Sequence, residues 1–334
     1  MKRNGNRLLV TMPQSALPIL RIVVPILILG ALAFTLDIDE TAKALTAADP
    51  ILIGAAILAV EVQIVVSALR WRFTSVRLGQ PIGFKRAVGE YYLASLLNQV
   101  LPGGVAGDAV RSVRSAHGAR AEDTGGGAGL RVSVQSVMLE RLSGQIALFF
   151  TAGLGLLAAP LGLGISLPSE SIRLVGIVAL VAVLVGLGGW LGARYAKGRV
   201  KTFLETFGPA IRKAFWRRGA FPVQASSSLT VVFAYLAAFA ACAAAIGQPI
   251  GLAATLALVP LVLLSMLMPV SVAGWGLREA AAAALLPFAG MNAGSAVAAS
   301  VLYGLVSLAG ALPGLFVVLG WPRLTSATMS TPKE

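Results

Sequence analysis

The chain has 334 residues, of which 57% are hydrophobic and only 12% carry a charge. An ordinary soluble domain carries about 25% charged residues, so this composition excludes a water-soluble globule of the same size. Because one membrane-spanning helix takes roughly 20 apolar residues, the sequence predicts an all-α, polytopic membrane protein with about six to eight spans.

The charged residues are unbalanced, with 27 Lys and Arg against 14 Asp and Glu. The cations stand in short blocks between apolar runs, which is typical of cytoplasmic loops rather than of a nucleic-acid-binding face. The blocks predict contact with the anionic inner leaflet and argue against a nucleic-acid partner. The single Cys and the single His exclude a disulfide framework and a metal centre built on these residues, so we expect no metal and no cofactor.

The N-terminal half of the chain predicts a basic cytoplasmic terminus at 1–16 and a first membrane repeat at 17–159. One apolar segment of this repeat, Val88–Leu101, is too short to cross a bilayer and stops at Pro102-Gly103-Gly104. It predicts a re-entrant segment at about 88–118, which enters the membrane and returns to the same side. The other apolar runs predict full spans at 17–36, 51–69 and 132–159.

The C-terminal half predicts an outer loop at 160–171, a second membrane repeat at 172–320 and a cytoplasmic tail at 321–334. A second re-entrant segment is predicted at about 252–288, because its apolar run is interrupted at Pro269, Gly274 and Gly276. The full spans of this repeat are predicted at 172–192, 226–246 and 296–319.

A basic segment at about 200–218 interleaves cations with aromatic residues at helical spacing, which predicts an amphipathic helix on the cytoplasmic membrane surface. With both termini in the cytoplasm, 22 of the 27 Lys and Arg residues fall in cytoplasmic loops or tails. A full crossing at Pro102 would move two basic blocks outside, against the positive-inside rule. The orientation therefore favours a re-entrant segment there, and it predicts a multi-pass protein of a bacterial cytoplasmic membrane.

Two short motifs indicate an internal repeat. Residues 101–111 and 268–278 both read apolar-Pro-x-x-Val-Ala-Gly-x-x-apolar-Arg. In the predicted orientation they enter the membrane from opposite sides, so the chain reads as two inverted-topology repeats. Each repeat then has three spans and one re-entrant Gly/Pro-broken hairpin. Paired broken segments of this kind predict a substrate site near the bilayer midplane.

Charged side chains at membrane depth are the candidates for substrate binding, because burying them there is costly without a role. Asp108 and Arg111 lie three residues apart and predict a local ion pair. Glu140–Arg141 and Arg278–Glu279 are adjacent, so we expect each of them to find partners on other segments. The alternative is that these charges are structural ion pairs. The predicted substrate-binding residues are Arg111, Arg278, Asp108, Glu279, Glu140, Arg141, Asn98 and Gln99.

Three motifs, Asn98–Arg111, Leu139–Leu142 and Pro269–Glu279, resemble the lysylphosphatidylglycerol synthase transmembrane-region family, also called flippase-like domain proteins. The resemblance covers about residues 15–322. It implies a lipid flippase, since members with an established role move aminoacylated phosphatidylglycerol between leaflets. The better-known members carry a soluble aminoacyl-transferase domain after the membrane region, and this chain stops at Glu334, so we do not expect that activity here.

We therefore expect a lipid transporter that moves a lipid with an anionic or zwitterionic phosphate headgroup, with no catalytic residues, and with a homo-oligomer as one option. Two alternatives stay open. One is an intramembrane enzyme acting on a lipid or polyprenyl phosphate, for which Asp108 and Glu140 would supply paired carboxylates. The other is a non-transporting membrane scaffold for envelope biosynthesis.

Overall fold

The structure is a computed structural model that describes residues 23, 26–31, 38–101, 104–120, 126–162, 194–195, 197–267 and 271–319. The predicted N-terminus, the span at 172–192 and the C-terminal tail lie outside the described residues. The predicted span at 17–36 and the outer loop at 160–171 lie mostly outside them.

The described residues are helical and contain no strand, which confirms the all-α prediction. Short π or 3-10 turns follow three of the helices, at Arg212–Trp216, Arg217–Gly219, Ser265–Leu267 and Leu286–Ala289. In chain order the helices are α1 Ile38–Thr46, α2 Pro50–Arg77, α3 Phe84–Val100, α4 Ala106–Arg120, α5 Gly126–Gly162, α6 Gly198–Ile211, α7 Ala220–Ala245, α8 Leu252–Leu264, α9 Leu277–Leu285 and α10 Ala293–Ala311.

Four helical stretches among the described residues are long and apolar enough to cross a membrane: Pro50–Arg77, Gly129–Ala158, Glu205–Ala245 and Ala293–Leu319. They contain or overlap the spans predicted at 51–69, 132–159, 226–246 and 296–319. The chain is therefore a multi-pass membrane protein. The apolar stretch Leu252–Leu267 is shorter than these four.

Both Gly/Pro motifs interrupt a helix. In the first, α3 ends at Val100, Leu101 takes an extended conformation, and α4 begins at Ala106. In the second, α8 gives way to a 3-10 turn, and α9 begins only at Leu277. Before α9 the backbone turns through Gly274 and Gly276, which both have a φ of 81°. This left-handed region is open to glycine at little steric cost. Each motif therefore joins two short helices instead of continuing one.

Helix packing brings the two halves of the chain together. α2 packs along α7, while α5 packs against α4 and α8, and α10 packs against α9, α7 and α2. Glycines permit some of these close approaches: a Cβ on Gly155 of α5 would collide with the backbone carbonyl of Leu256 on α8. Such small residues are the usual means of close helix packing in membranes.

The basic segment forms α6 and then a π turn and a 3-10 turn before α7. Its residues Ala210 and Ala214 are buried against Leu139 of α5. Arg77, at the end of α2, donates hydrogen bonds to the carbonyl oxygens of Arg217 and Arg218 at 2.6 and 3.1 Å. The segment is thus docked on the helix bundle, and its place on the membrane surface stays a prediction.

Candidate functional site

The side chain of Glu140, on α5, is fully buried and joins three other helices. Its Oε1 accepts hydrogen bonds from Arg70 Nη2 of α2 at 2.6 Å and from the Tyr91 hydroxyl of α3 at 3.2 Å. Its Oε2 accepts from Arg111 Nη2 of α4 at 3.2 Å. One carboxylate therefore links two arginines and a tyrosine in the protein interior.

Asp108 continues this network toward Arg141. Its Oδ1 accepts from Arg111 Nη2 at 2.9 Å, which confirms the predicted local pair. Its Oδ2 accepts from Arg141 at 2.8 Å. Glu140 and Arg141 are thus adjacent in sequence and bind different partners, as expected from the angle of about 100° between neighbouring side chains on a helix.

Two aromatic rings lie close to the Arg111 guanidinium. Its guanidinium lies 4.6 Å from the ring centroid of Trp71 and 4.5 Å from that of Tyr91. The residue is 1% exposed. Cation–π contacts of this kind stabilise a desolvated guanidinium. Arg111 is therefore fixed by protein contacts and is almost inaccessible to solvent.

We call the five ionised side chains of this network the charged cluster: Arg70, Arg111, Arg141, Asp108 and Glu140. It holds three guanidinium groups and two carboxylates, so it carries one positive charge in excess. An uncompensated charge away from water is unfavourable and favours the binding of an opposite charge. The cluster is therefore suited electrostatically to a single anion.

A cavity of about 570 Å³ lies beside the charged cluster. Both helix breaks reach it, the first through Gly104 and Val105 and the second through Ser271, Ala273 and Gly274. Its wall mixes apolar residues from several helices with polar ones. The predicted site residues that line it are Asn98, Gln99, Asp108, Glu140 and Arg141, joined by Arg70, Tyr91, Tyr235 and Tyr303.

Arg141 is the most accessible cation of the cluster, because 39% of its side chain is exposed. Asn98 has a structural contact as well, since its Oδ1 accepts a hydrogen bond from the Gly107 amide at 2.8 Å and caps the start of α4. The cavity therefore offers one exposed guanidinium, with the amides of Asn98 and Gln99 in its wall.

Arg278 and Glu279 do not line this cavity. The expectation that they would pair with other segments rather than with each other is wrong. Arg278 Nη2 donates to Glu279 Oε1 at 2.7 Å, and both residues are fully buried. Glu279 also accepts from the Gly276 amide at 2.6 Å, which is the half of a capping box that a glutamate at N3 supplies. This cap folds its carboxylate back toward the start of α9, where the long Arg278 side chain reaches it. Ser300 of α10 bonds to both.

Arg111 and Arg278 have similar surroundings and no shared partner among their described contacts. The Arg278 guanidinium lies 5.0 Å from the Trp275 ring centroid and 5.3 Å from that of Tyr303. Tyr303 also lines the cavity. Each motif arginine is therefore buried near two aromatic rings and beside a carboxylate. Their convergence on one headgroup stays a prediction.

Sequence reasoning missed Arg70, which it groups with the cations of a cytoplasmic loop. In the structure α2 continues to Arg77, and Arg70 is only 4% exposed. Its Nη1 also donates to Ser228 of α7 at 3.0 Å. One signal could have found it: Gln63, Ser67, Arg70 and Thr74 are polar, follow the helical period and are all buried. A polar stripe inside an apolar span marks a face turned to protein rather than to lipid.

Asp108 and Glu140 are close enough to share Arg111, and each of their four oxygen atoms is accounted for by an arginine contact. Among the described residues, no group of three His, Cys, Asp or Glu side chains could hold a metal ion. Cation-paired carboxylates are unlike the free oxygen ligands that a divalent metal binds.

Together, the apolar spanning helices, the two helix breaks and the buried charged cluster define a polytopic helical membrane protein with a buried polar site. The family described as lysylphosphatidylglycerol synthase TM region matches residues 19–314, and the chain belongs to this family. The comparison with individually curated proteins finds no match to the chain.

Proposed function

We propose that this protein moves a lipid with a phosphate headgroup, anionic or zwitterionic, between the leaflets of a bacterial cytoplasmic membrane. The observation that carries the proposal is the cavity beside the charged cluster, whose net positive charge matches one phosphate. Membership of a family named for a lipid synthase's membrane region supports a lipid substrate. No bond-forming step is assigned to the protein, and lipid movement is passive or coupled to an ion.

Two inverted repeats with re-entrant segments are part of this proposal. Under a pseudo-two-fold axis, α2 would match α7, α5 would match α10, and α3–α4 would match α8–α9. The observed packing agrees: α2 packs on α7, α4 packs on α5 as α9 packs on α10, and α2 packs on α5 as α7 packs on α10. Inverted repeats place the substrate site where their broken helices meet, and both breaks reach the cavity.

Within the cavity, Arg141 is the proposed phosphate ligand, because its planar fork suits two oxyanion oxygens and part of it is accessible. Asn98 and Gln99 would donate from the wall. Arg70 and Arg111, held by Glu140, supply positive potential from behind. Arg278 and Glu279 would fix the second break rather than touch the lipid.

The test uses the purified full chain in liposomes with a fluorescent phosphatidylglycerol, whose outer-leaflet fraction is measured by chemical quenching. We expect lipid movement with the unmodified chain and at least a tenfold slower rate with Arg141→Gln, since a charge-assisted contact to phosphate is lost. The control is Arg131→Gln, which removes an exposed cation from the same helix. No movement by the unmodified chain, or equal rates in the two variants, would contradict the proposal.

The same liposomes distinguish lipid transport from the alternative that the protein is an intramembrane enzyme. Mass spectrometry of the recovered lipids should show unchanged headgroups after incubation with Mg²⁺ or Mn²⁺. Headgroup turnover that requires the metal and Asp108 would replace transport by catalysis as the function.

A further inference from the structure

A second cavity lies between α2 and α7, where α2 ends and the basic segment joins the start of α7. We call it the basic groove. Its volume is about 900 Å³, and a π turn and a 3-10 turn before α7 contribute to one end. None of the described residues that line it is an Asp or a Glu. Six cations line it: Arg70, Arg72, Arg77, Lys213, Arg217 and Arg218.

The cations at the end of the groove are held in place by the fold. Arg77 stacks on Phe73, with 4.5 Å between its guanidinium and the ring centroid, and binds the carbonyl oxygens of Arg217 and Arg218. Arg218 has a φ of 52°, a left-handed conformation that is uncommon for a non-glycine residue. Such a conformation persists where the surrounding contacts determine it, and it is frequent at ligand sites. Arg77 supplies those contacts.

The rest of the groove is apolar or carries hydroxyl groups. Leu69, Val76 and Val223 line it and are between 39% and 46% exposed, on helices that are long enough to span a membrane. An occupant must therefore combine an anionic group with a hydrocarbon chain. A volume of this size is within the range of about 300–1,000 Å³ that small-molecule sites span.

We propose that the basic groove binds an anionic phospholipid from the leaflet that faces the basic segment. Arginine forks bind the phosphate diester, and the acyl chains follow the apolar surface of α2 and α7. The positive-inside rule makes this the cytoplasmic leaflet. The site goes beyond the proposed transport, because it binds its lipid whether or not the protein moves a lipid through the cavity beside the charged cluster.

Arg70 lines both the basic groove and the cavity beside the charged cluster. It is almost fully buried, and its Nε has no hydrogen-bond partner among the described residues, while Nη2 binds Glu140. A phosphate in the groove would find this free donor and would compete with Glu140 for the guanidinium. Occupation of the groove is therefore energetically linked to the charged cluster, and the linkage is reciprocal.

The test measures phospholipid retained by the full chain, purified in detergent with added phosphatidylglycerol or phosphatidylcholine, by native mass spectrometry. The groove variant is Lys213→Gln/Arg217→Gln/Arg218→Gln. The matched control is Lys197→Gln/Lys201→Gln/Arg212→Gln, which removes the same charge from exposed positions outside the groove, in the basic segment or just before it. Size-exclusion profiles verify that both variants are folded.

We expect one phosphatidylglycerol fewer per chain, or about tenfold weaker retention, in the groove variant, since three cations near an anionic headgroup are lost. The control variant should stay within about twofold of the unmodified chain, as isolated surface charges contribute little. A diazirine-labelled phosphatidylglycerol should crosslink to peptides covering 66–79 or 213–230, and this result does not require a variant.

Three outcomes would overturn the proposal: equal losses in the two variants, equal retention of phosphatidylcholine, or displacement of the lipid by inorganic phosphate alone. The last would show a site for a free anion. The Arg141→Gln variant separates this proposal from transport, because Arg141 does not line the groove. The variant should slow lipid movement at least tenfold while the crosslink to the groove peptides is still formed.

Discussion

Arg70 and Glu140 form a 2.6 Å ion pair between α2 and α5, and both side chains are almost fully buried. The pair stands at the centre of the protein's polar interior, because Glu140 also binds Arg111 and Arg70 also binds Ser228. Gly144, one turn along α5, leaves room for the guanidinium: a Cβ there would lie 3.1 Å from Arg70 Nη2.

Removing one member of this pair should be worse than removing both. Arg70→Met leaves Glu140 with fewer counter-charges, and breaking a buried pair in this way costs about 3–5 kcal/mol. Arg70→Met/Glu140→Gln removes both charges and should regain part of the lost thermal stability. Thermal unfolding in detergent, followed by size-exclusion chromatography, measures the difference. Additive losses in the double variant would mean that the two side chains are not coupled.

The motif arginines should not tolerate lysine in the transport assay. Arg111 Nη2 bonds to both Asp108 and Glu140, and the guanidinium lies 4.6 and 4.5 Å from the ring centroids of Trp71 and Tyr91. A lysine ammonium lacks the planar group that packs on such rings. We expect Arg111→Lys to remain folded and to slow lipid movement by about tenfold or more, and Arg111→Ala also to lower the apparent melting temperature. Full activity of the lysine variant would assign the residue a purely structural charge.

Glu279 should matter for stability more than Ser300 does. Glu279→Ala removes the counter-ion of buried Arg278 and the hydrogen bond to the Gly276 amide. It should therefore lower the free energy of unfolding of the protein by about 3–5 kcal/mol. Ser300→Ala removes hydrogen bonds at the same place and should cost about 1 kcal/mol. Apparent melting temperatures rank the two variants, and the reverse order would contradict the proposed cap.

Two glycines of α5 provide a matched pair for helix packing. Gly155→Ala places a methyl group against the α8 backbone, with only 2.7 Å to the Ala257 Cα, whereas Gly153 has open space. We expect Gly155→Ala to cost about 1–3 kcal/mol, as overpacked sites do. Gly153→Ala should be neutral or slightly stabilising, because alanine favours a helix over glycine. Similar melting temperatures would mean that α5 and α8 separate easily.

The predicted orientation is tested with single cysteines in a Cys242→Ala background, since buried Cys242 is the chain's one native cysteine. An impermeant thiol reagent outside intact cells should label Thr46→Cys, because position 46 lies between the predicted spans 17–36 and 51–69 and is outside when the N-terminus is cytoplasmic. It should not label Ala121→Cys or Ser326→Cys, at positions predicted to be cytoplasmic. Labelling at Ala121 would place that region outside and remove the first re-entrant segment.

The residues of the charged cluster show which parts of the site are readable from sequence. The Asp108–Arg111 pair was predictable, because a spacing of three residues fixes a contact within one helix. The break after Val100 was predictable from proline and glycine chemistry. For Arg70, the polar stripe of α2 indicates a buried face, but its partners depend on where α2 ends and on which face α5 and α7 cover. A hydropathy pattern contains neither of these facts.

The Arg278–Glu279 pair shows a different limit. The Cβ atoms of adjacent residues do diverge on a helix, and this divergence alone predicts no pair between them. The carboxylate position is instead set by the amide of Gly276, which is free because α9 starts there after a left-handed turn. A helix start that depends on tertiary context therefore decides which ion pair forms.

The excess positive charge of the cluster has an electrical consequence. Its guanidinium groups are bound to protein partners on several helices, so the cluster is a fixed countercharge. Under the proposed transport, a phospholipid that leaves the cluster would therefore carry its own charge across the bilayer. For a lipid with one net negative charge, an inside-negative membrane potential drives outward movement by about 2.3 kcal/mol for each 100 mV. The resting voltage of the cell would then give a passive translocator a direction, with no nucleotide hydrolysis required.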